Sequence, residues 1–267
     1  MKGFTMSDLT FDSFCSLYSP ELFPEIPGFD FDPALFFSPE VREKLWKISD
    51  ILIDHGKQFN LTSILDPAEI VRKHLIDSLA PLGMILGEGI RPLMLLDVGT
   101  GGGFPLLPMA AVLCSEDYRA RYGGGTRFTG LDATAKKISH IQQAAAHAGI
   151  PSVSAVNGRA EEMARGEMRE KFDLVTARAV ASLPVLAELC APFVHPGGFF
   201  AALKSHAEDE LPAGDRAAEK LGMTRTAIFS YEIPGGDLRT LILYRKISSC
   251  SPKYPRRYAD ITKHPLP

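Results

Sequence analysis

The sequence predicts an α/β protein built on a mostly parallel, seven-stranded sheet, with one antiparallel edge strand and a helical extension at the front. Three observations predict it. From residue 93 onward, short apolar runs alternate with stretches of helical periodicity, the pattern of a parallel sheet covered on both faces. The first of these runs ends in the glycine-rich segment Gly99–Phe104. Nothing before residue 85 reads as a strand of any length.

Residues 1–38 are rich in Phe, Pro and Asp and read as a short helix or two with an irregular wrap. Ser38-Pro39-Glu40 then starts a helix, with Ser as cap and Pro in the first turn. Val41, Leu45, Ile48, Ile51 and Leu52 give it an apolar stripe, and Gly56 is expected to end it. Asp66-Pro67 opens a second helix through Ile70, Leu75 and Leu79, which Pro81 is expected to stop. The expected strands are 93–98, 127–131, 153–156, 172–176, 199–203, 226–233 and 239–245, with helices at 105–113, 135–148 and 182–193 and a short one near Glu161. Pro234-Gly235-Gly236-Asp237 is short enough to join the last two strands as a hairpin, which supplies the antiparallel edge. Ser115–Gly125, with its three consecutive glycines, reads as a surface loop. The organisation expected is a helical extension over 1–85, a core over 86–247 and a basic tail over 248–267.

The chain has 267 residues, 45% of them hydrophobic and 23% charged. That suits a folded core rather than disorder. A formal net charge of −3 excludes a globally basic nucleic-acid binder, so charge has to be read by region. Cys15, Cys114, Cys190 and Cys250 form no CxxC unit and suggest neither a zinc site nor a disulfide framework. No secretory signal and no membrane-spanning run is apparent, and the expected location is cytoplasmic.

The segment Leu95-Leu96-Asp97-Val98-Gly99-Thr100-Gly101-Gly102-Gly103-Phe104-Pro105 joins a strand to a helix. Its glycines allow a tight turn and close approach of a ligand to the backbone. A phosphate loop would need Gly-Lys-Ser/Thr, which is absent. A dinucleotide site and an S-adenosylmethionine (AdoMet) site remain, and both use an acidic residue at the end of the second strand, here Asp132. Asp97 separates them: a carboxylate is unwelcome beside pyrophosphate and favourable beside the sulfonium and amino group of AdoMet. The fold class becomes a Rossmann-like, class I AdoMet-dependent methyltransferase. Blander roles stay open. Asp97 and Asp132 can be caps, Phe104 core filler, Asn157–Glu162 an ordinary turn, and Arg178, at the end of the fourth strand, one half of a surface ion pair.

Several segments together resemble the bacterial small-subunit ribosomal RNA methyltransferases of the RsmG type, also called glucose-inhibited division protein B. They are Asn60-Leu61-Thr62, His74–Leu79, Leu96–Gly101 through Phe104-Pro105, Leu131–Thr134, Arg159-Ala160-Glu161, Thr176–Leu183, Pro196-Gly197-Gly198, Arg239-Thr240-Leu241 and Tyr254–Arg257. The resemblance spans roughly residues 40–267. It implies methyl transfer from AdoMet, leaving S-adenosylhomocysteine, to N7 of a guanosine in the 530 loop of 16S ribosomal RNA, as free RNA or small-subunit precursor. The resemblance implies cofactor contacts at Gly99, Phe104, Asp132, Ala133, Thr134, Ala160, Glu161 and Arg178, and the reading of the residues themselves adds Asp97, Gly101 and Arg159. The catalytic candidates are Asn60, His74, Asp77 and Arg178. His74 and Asp77 share a helix face, and an Asp–His pair that merely ties the helical front to the core is the competing reading. Leu106 and Ala135 depart from the family, which usually has glycine and often a basic residue there.

Guanine N7 carries a lone pair and needs no general base, so the lack of an obvious nucleophile is no obstacle. Cys114 and Cys190 read as buried small hydrophobes. Residues 245–263 hold Arg245, Lys246, Lys253, Arg256, Arg257 and Lys263 against Asp260 alone, a run suited to phosphate, with Lys253, Arg256 and Arg257 as expected RNA contacts. Loss of residues 250–267 is expected to weaken RNA methylation and spare AdoMet affinity. A small-molecule AdoMet methyltransferase and a noncatalytic RNA-binding module stay open beside the RNA enzyme, and a monomer is expected.

Overall fold

A computed structural model describes residues 9–24, 32–59 and 61–267. Among these, seven strands form one sheet: β1 (Met94–Val98), β2 (Arg127–Asp132), β3 (Val153–Asn157), β4 (Phe172–Arg178), β5 (Val194–Lys204), β6 (Met223–Ile233) and β7 (Asp237–Lys246), in the order β3-β2-β1-β4-β5-β7-β6. The first five are parallel, with β1 pairing β2 and β4 on either side. The order therefore reverses beside β1, the place where open α/β sheets leave a crevice at the carboxyl ends of their strands. The expected hairpin forms, and its antiparallel member is β7, inserted between β5 and the outermost strand β6.

Alternation along the strands builds two cores. In β1, Leu95 points into one and Leu96 into the other; in β7, Leu241 and Leu243 oppose Ile242 and Tyr244. The first core holds the front helices α1 (Phe11–Leu17), α2 (Pro39–Phe59), α3 (Pro67–Ile70) and α4 (Asp77–Gly87), together with α5 (Leu106–Leu113), α6 (Glu116–Tyr122) and α7 (Ala135–His147). The second holds α9 (Leu183–Cys190) and α10 (Leu211–Lys220), with α8 (Ala160–Met163) beside it, and is closed by the C-terminal segment bearing α11 (Tyr258–Lys263).

Three local expectations change. α2 runs through Gly56 to Phe59. A Cβ at Gly56 would lie 2.5 Å from Leu65 Cδ2, so glycine there admits a neighbouring side chain instead of ending the helix. Pro81 lies inside α4 and does not stop it. Every residue from Asp77 to Leu86 is buried, and that burial outweighs one lost backbone hydrogen bond. A single π-helical stretch, Val71–Ile76, leads into it. The loop expected over 115–125 contains α6: the Ser115 hydroxyl accepts from Tyr118 N, acidic Glu116 and Asp117 open the helix, and Tyr118 is buried. The tail is ordered against the domain, with Tyr254, Ile261 and Leu266 buried.

Candidate active site

Three adjoining cavities lie along the carboxyl ends of β1, β2, β4 and β5. The first, about 170 Å³, is walled by Val98, Gly99, Leu131, Asp132, Ala133, Gly158, Arg159, Ala160, Glu161, Val180, Leu189 and Tyr258. The second, about 240 Å³, shares Gly99 and continues over Thr100, Gly101, Gly102 and Phe104 to Thr62, His74, Lys137, Arg178 and Ala179, with Leu52 and Leu61 at its side. The third, about 300 Å³, shares His74, Arg178 and Ala179 and extends over Ile64, Lys73, Asp77, Leu203, Lys204, Ser205, Tyr231 and Arg239.

The glycine loop is held down by the end of β2. Gly99 N and Thr100 N donate to Leu131 O at 2.8 and 3.1 Å, and the Asp132 carboxylate accepts from Gly101 N at 3.1 Å and Thr134 N at 2.9 Å. Lys137 Nζ lies 3.5 Å from Asp132 Oδ2, and Asp132 lines the first cavity. Gly99 has φ +70°, and a Cβ there would lie 2.6 Å from Val180 Cγ2. The loop thus needs glycine for its conformation and for the close approach of the β4 turn. Ala179 in that turn also has positive φ, +56°, a conformation that side chains rarely adopt and that clusters at working sites.

Asp97 is buried at the end of β1, just before the loop, and lines none of these three cavities. Its Oδ1 accepts from Thr176 Oγ1 at 2.8 Å, while Oδ2 has no well-formed hydrogen bond. Burial pushes its pKa up to about 6, against the pull of Thr100, Thr176 and Arg178. A half-satisfied carboxylate under a cavity floor is stabilised by a cation above it.

Between the second and third cavities, His74 stacks on Phe104 with centroids 4.6 Å apart and rings 19° from parallel. Its Nε2 lies 3.3 Å from Thr62 Oγ1. Burial, then the Arg178 charge, lowers its pKa to about 4, so the imidazole is neutral at physiological pH. Asp77 does not pair with His74. Its carboxylate accepts from Arg178 Nη1 at 3.0 Å and Arg239 Nε at 2.9 Å, with only 9% of its side chain exposed. Arg178 donates as well to Lys73 O at 3.4 Å. Asp77 therefore ties the helical front to β4 and β7 through two arginines. The π-helical stretch just before it sets the directions of His74 and Asp77, which accounts for two residues three apart on one helix having different partners.

Of the expected cofactor residues, Gly99, Gly101, Phe104, Asp132, Ala133, Arg159, Ala160, Glu161 and Arg178 line the first two cavities. Thr134 lies outside them, as the residue before α7. His74, Asp77 and Arg178 meet at the third, while Asn60 lies outside the described residues. Sequence reasoning missed Lys73, Lys204, Tyr231 and Tyr258, and took Arg239 only as part of a resemblance. A lysine closing β5, as Lys204 does, was a readable signal; Tyr258 in an aperiodic tail was not.

The tail arginine Arg256 requires a correction. Its backbone N and guanidinium donate to the Glu188 carboxylate at 2.6–3.2 Å, and Glu188 is fully buried. Arg256 neutralises a charge inside the domain and is not a free phosphate contact. Lys246 is also buried, donating to Ala191 O. Arg245, Lys253, Arg257 and Lys263 remain exposed.

A family model described as "rRNA small subunit methyltransferase G" matches residues 41–236. Among similar chains is "Ribosomal RNA small subunit methyltransferase G" of Deinococcus deserti, 40% identical over 220 residues, covering 81% of this chain and 85% of that one. The protein of the same name in Clostridium botulinum is 35% identical over 238 residues, covering 88% and 95%. Among solved structures, an O-methyltransferase from Bacillus cereus described as in complex with SAH aligns with a TM-score of 0.51 at 18% identity, covering 75% of this chain and 90% of that one. It shares the fold.

Proposed function

This chain belongs to the rRNA small subunit methyltransferase G family, and on that premise we propose that it methylates N7 of a guanosine in the 530 loop of 16S ribosomal RNA, using AdoMet bound across the first two cavities. The observation that carries the reading is the line of three cavities, the first adjoining the second at Gly99 and the second meeting the third at His74, Arg178 and Ala179. The first suits an adenosine, with the Asp132 carboxylate facing ribose hydroxyls. The second suits the methionine part, above the half-satisfied Asp97. The third is large enough for a flipped base and opens beside them.

When bound, AdoMet supplies a methyl group activated on a sulfonium. The protein's own residues do the rest. Gly99 and Gly101 let the backbone approach the ligand, and Asp97 balances positive charge from below. His74 stays neutral, adding no like charge beside a sulfonium. Arg178 and Arg239, aligned by Asp77, and Lys73 and Lys204 make the third cavity rich in hydrogen-bond donors. Guanine offers the O6 acceptor beside N7, whereas adenine presents an amino group there. N7 has no proton to lose, so positioning and electrostatics suffice.

Exposed Lys253 and Arg257 are read as phosphate contacts to the RNA, and the cytoplasm as the place of action. Among the described residues no helix is long and apolar enough to cross a membrane. The deciding experiment incubates the protein with labelled AdoMet and unmodified 16S RNA or small subunits and maps the modified base. Label at N7 of a 530-loop guanosine supports the reading; label elsewhere, or on small molecules alone, overturns it.

A further inference from the structure

We infer that Tyr258, on the C-terminal segment, is a cofactor-binding residue that forms an aromatic wall of the adenosine cavity; this rests on the placement of AdoMet proposed above.

The other walls of that cavity come from the ends of β1 and β2, the turns after the strands, α8 and α9, whereas Tyr258 arrives from α11, after the last strand. It is 39% exposed, one of few large exposed aromatics among the described residues, and it lines the cavity. The Arg159 guanidinium sits 5.7 Å from its ring centroid, so two planar groups meet at this mouth. An aromatic face there fits a purine ring, since every base offers a π-face for stacking.

The segment is fixed firmly enough to serve as a wall. The Glu188 carboxylate, fully buried, binds Arg256 two residues before Tyr258. Arg165 donates to Pro255 O at 2.6 Å. Arg169 donates to Tyr254 O at 2.9 Å and Cys250 O at 2.7 Å. Ile261 is buried in the second core three residues after Tyr258. Tyr258 is thus bracketed by an ion pair on one side and an apolar anchor on the other. The sequence-based expectation that losing residues 250–267 would spare AdoMet affinity gives way to the opposite one.

The test is calorimetric titration of the full chain with AdoMet, S-adenosylhomocysteine and adenosine, using Tyr258→Ala, Tyr258→Phe and Asp132→Asn. Stacking on one aromatic ring corresponds to about 5- to 150-fold in Kd, and a half-exposed ring lies at the low end, about five- to tenfold. Tyr258→Ala should weaken all three ligands by a similar factor, while Tyr258→Phe keeps near-native affinity. If Asp132→Asn weakens binding and Tyr258→Ala does not, the inference fails and the cofactor placement stands. If neither variant changes affinity, the placement itself fails and the inference with it. If Tyr258→Phe loses as much as Tyr258→Ala, the ring is not the binding element and the inference is overturned.

Discussion

Replacing Asp77 by Asn separates an organiser of the acceptor cavity from a simple tether. The carboxylate is 9% exposed and lies between two guanidiniums whose side chains are 17% and 19% exposed. Asn keeps one acceptor but turns an amide N–H₂ toward a cation. Breaking a fully buried ion pair costs about 3–5 kcal/mol; arginines that retain some solvent place this case near the lower figure, about 3 kcal/mol. A domain of ordinary stability, about 5–15 kcal/mol, stays folded after such a loss. Arg178 and Arg239 then lose the anchor that aims them into the cavity. A misplacement of about 1 Å can lower turnover by roughly a hundredfold, so methyl transfer to RNA should fall by at least about tenfold. AdoMet affinity should fall by a smaller factor than methyl transfer, because Asp77 itself lines only the third cavity and reaches the second only through Arg178. Urea unfolding, calorimetric AdoMet binding and transfer of labelled methyl to small subunits measure the three quantities. A folded Asp77→Asn protein with native kcat and KM for RNA would refute the organising role. A stability change under about 0.5 kcal/mol would refute the ion-pair argument.

Gly99→Ala brings a Cβ to 2.6 Å from Val180 at φ +70°, and AdoMet binding should drop by tenfold or more in titration while the helical signal in circular dichroism persists. Arg256→Ala leaves Glu188 buried and unpaired, so the urea midpoint should fall by the equivalent of about 3 kcal/mol, with Arg256→Ala/Glu188→Gln recovering part of it. Asp97, raised to about 6, contributes stability that is present below the ordinary carboxylate range and lost as pH rises through 6. Asp97→Asn should therefore raise the Tm of the ligand-free protein at pH 8 while weakening AdoMet binding there; a lower Tm contradicts this assignment. His74 and His140, both lowered to about 4 chiefly by burial, act in the other sense at lower pH. Between about pH 6.5 and 4 the unfolded chain takes up protons that the folded chain does not. Stability should fall with pH there by up to about 1.4 kcal/mol per unit for each, a slope that His140→Gln reduces in urea titrations.

Much of the sheet was legible because each buried parallel strand is a short apolar run, as Leu95-Leu96-Asp97-Val98 is, followed by a turn rich in small residues. The position of β7 was not: a hairpin signal pairs β6 with β7 but leaves open which of them also pairs with β5. Gly123-Gly124-Gly125 drew attention from Ser115-Glu116-Asp117, a good helix start just before it. Pro81 reads as a breaker because local propensity takes no account of how deeply its neighbours are buried. At the site, backbone-determined features such as Gly99 and the strand-end Asp132 were readable from spacing. Pairings between distant residues were not. Arg256 resembles any tail arginine until Glu188, 68 positions earlier, is found beneath it.

The three cavities share walls in series, Gly99 joining the first to the second and His74, Arg178 and Ala179 joining the second to the third. A molecule threaded past these shared residues would occupy all three. A compound bearing adenosine at one end and a purine at the other, tethered through the neck at Ala179, would make its second contact intramolecularly. Its affinity would exceed that of either half by the effective concentration of the tether. On the reading proposed above, a methyl donor alone or a free nucleobase would occupy only one side of that neck. A bridging ligand of this kind would be a selective inhibitor, its tether length a ruler for the distance the methyl group travels.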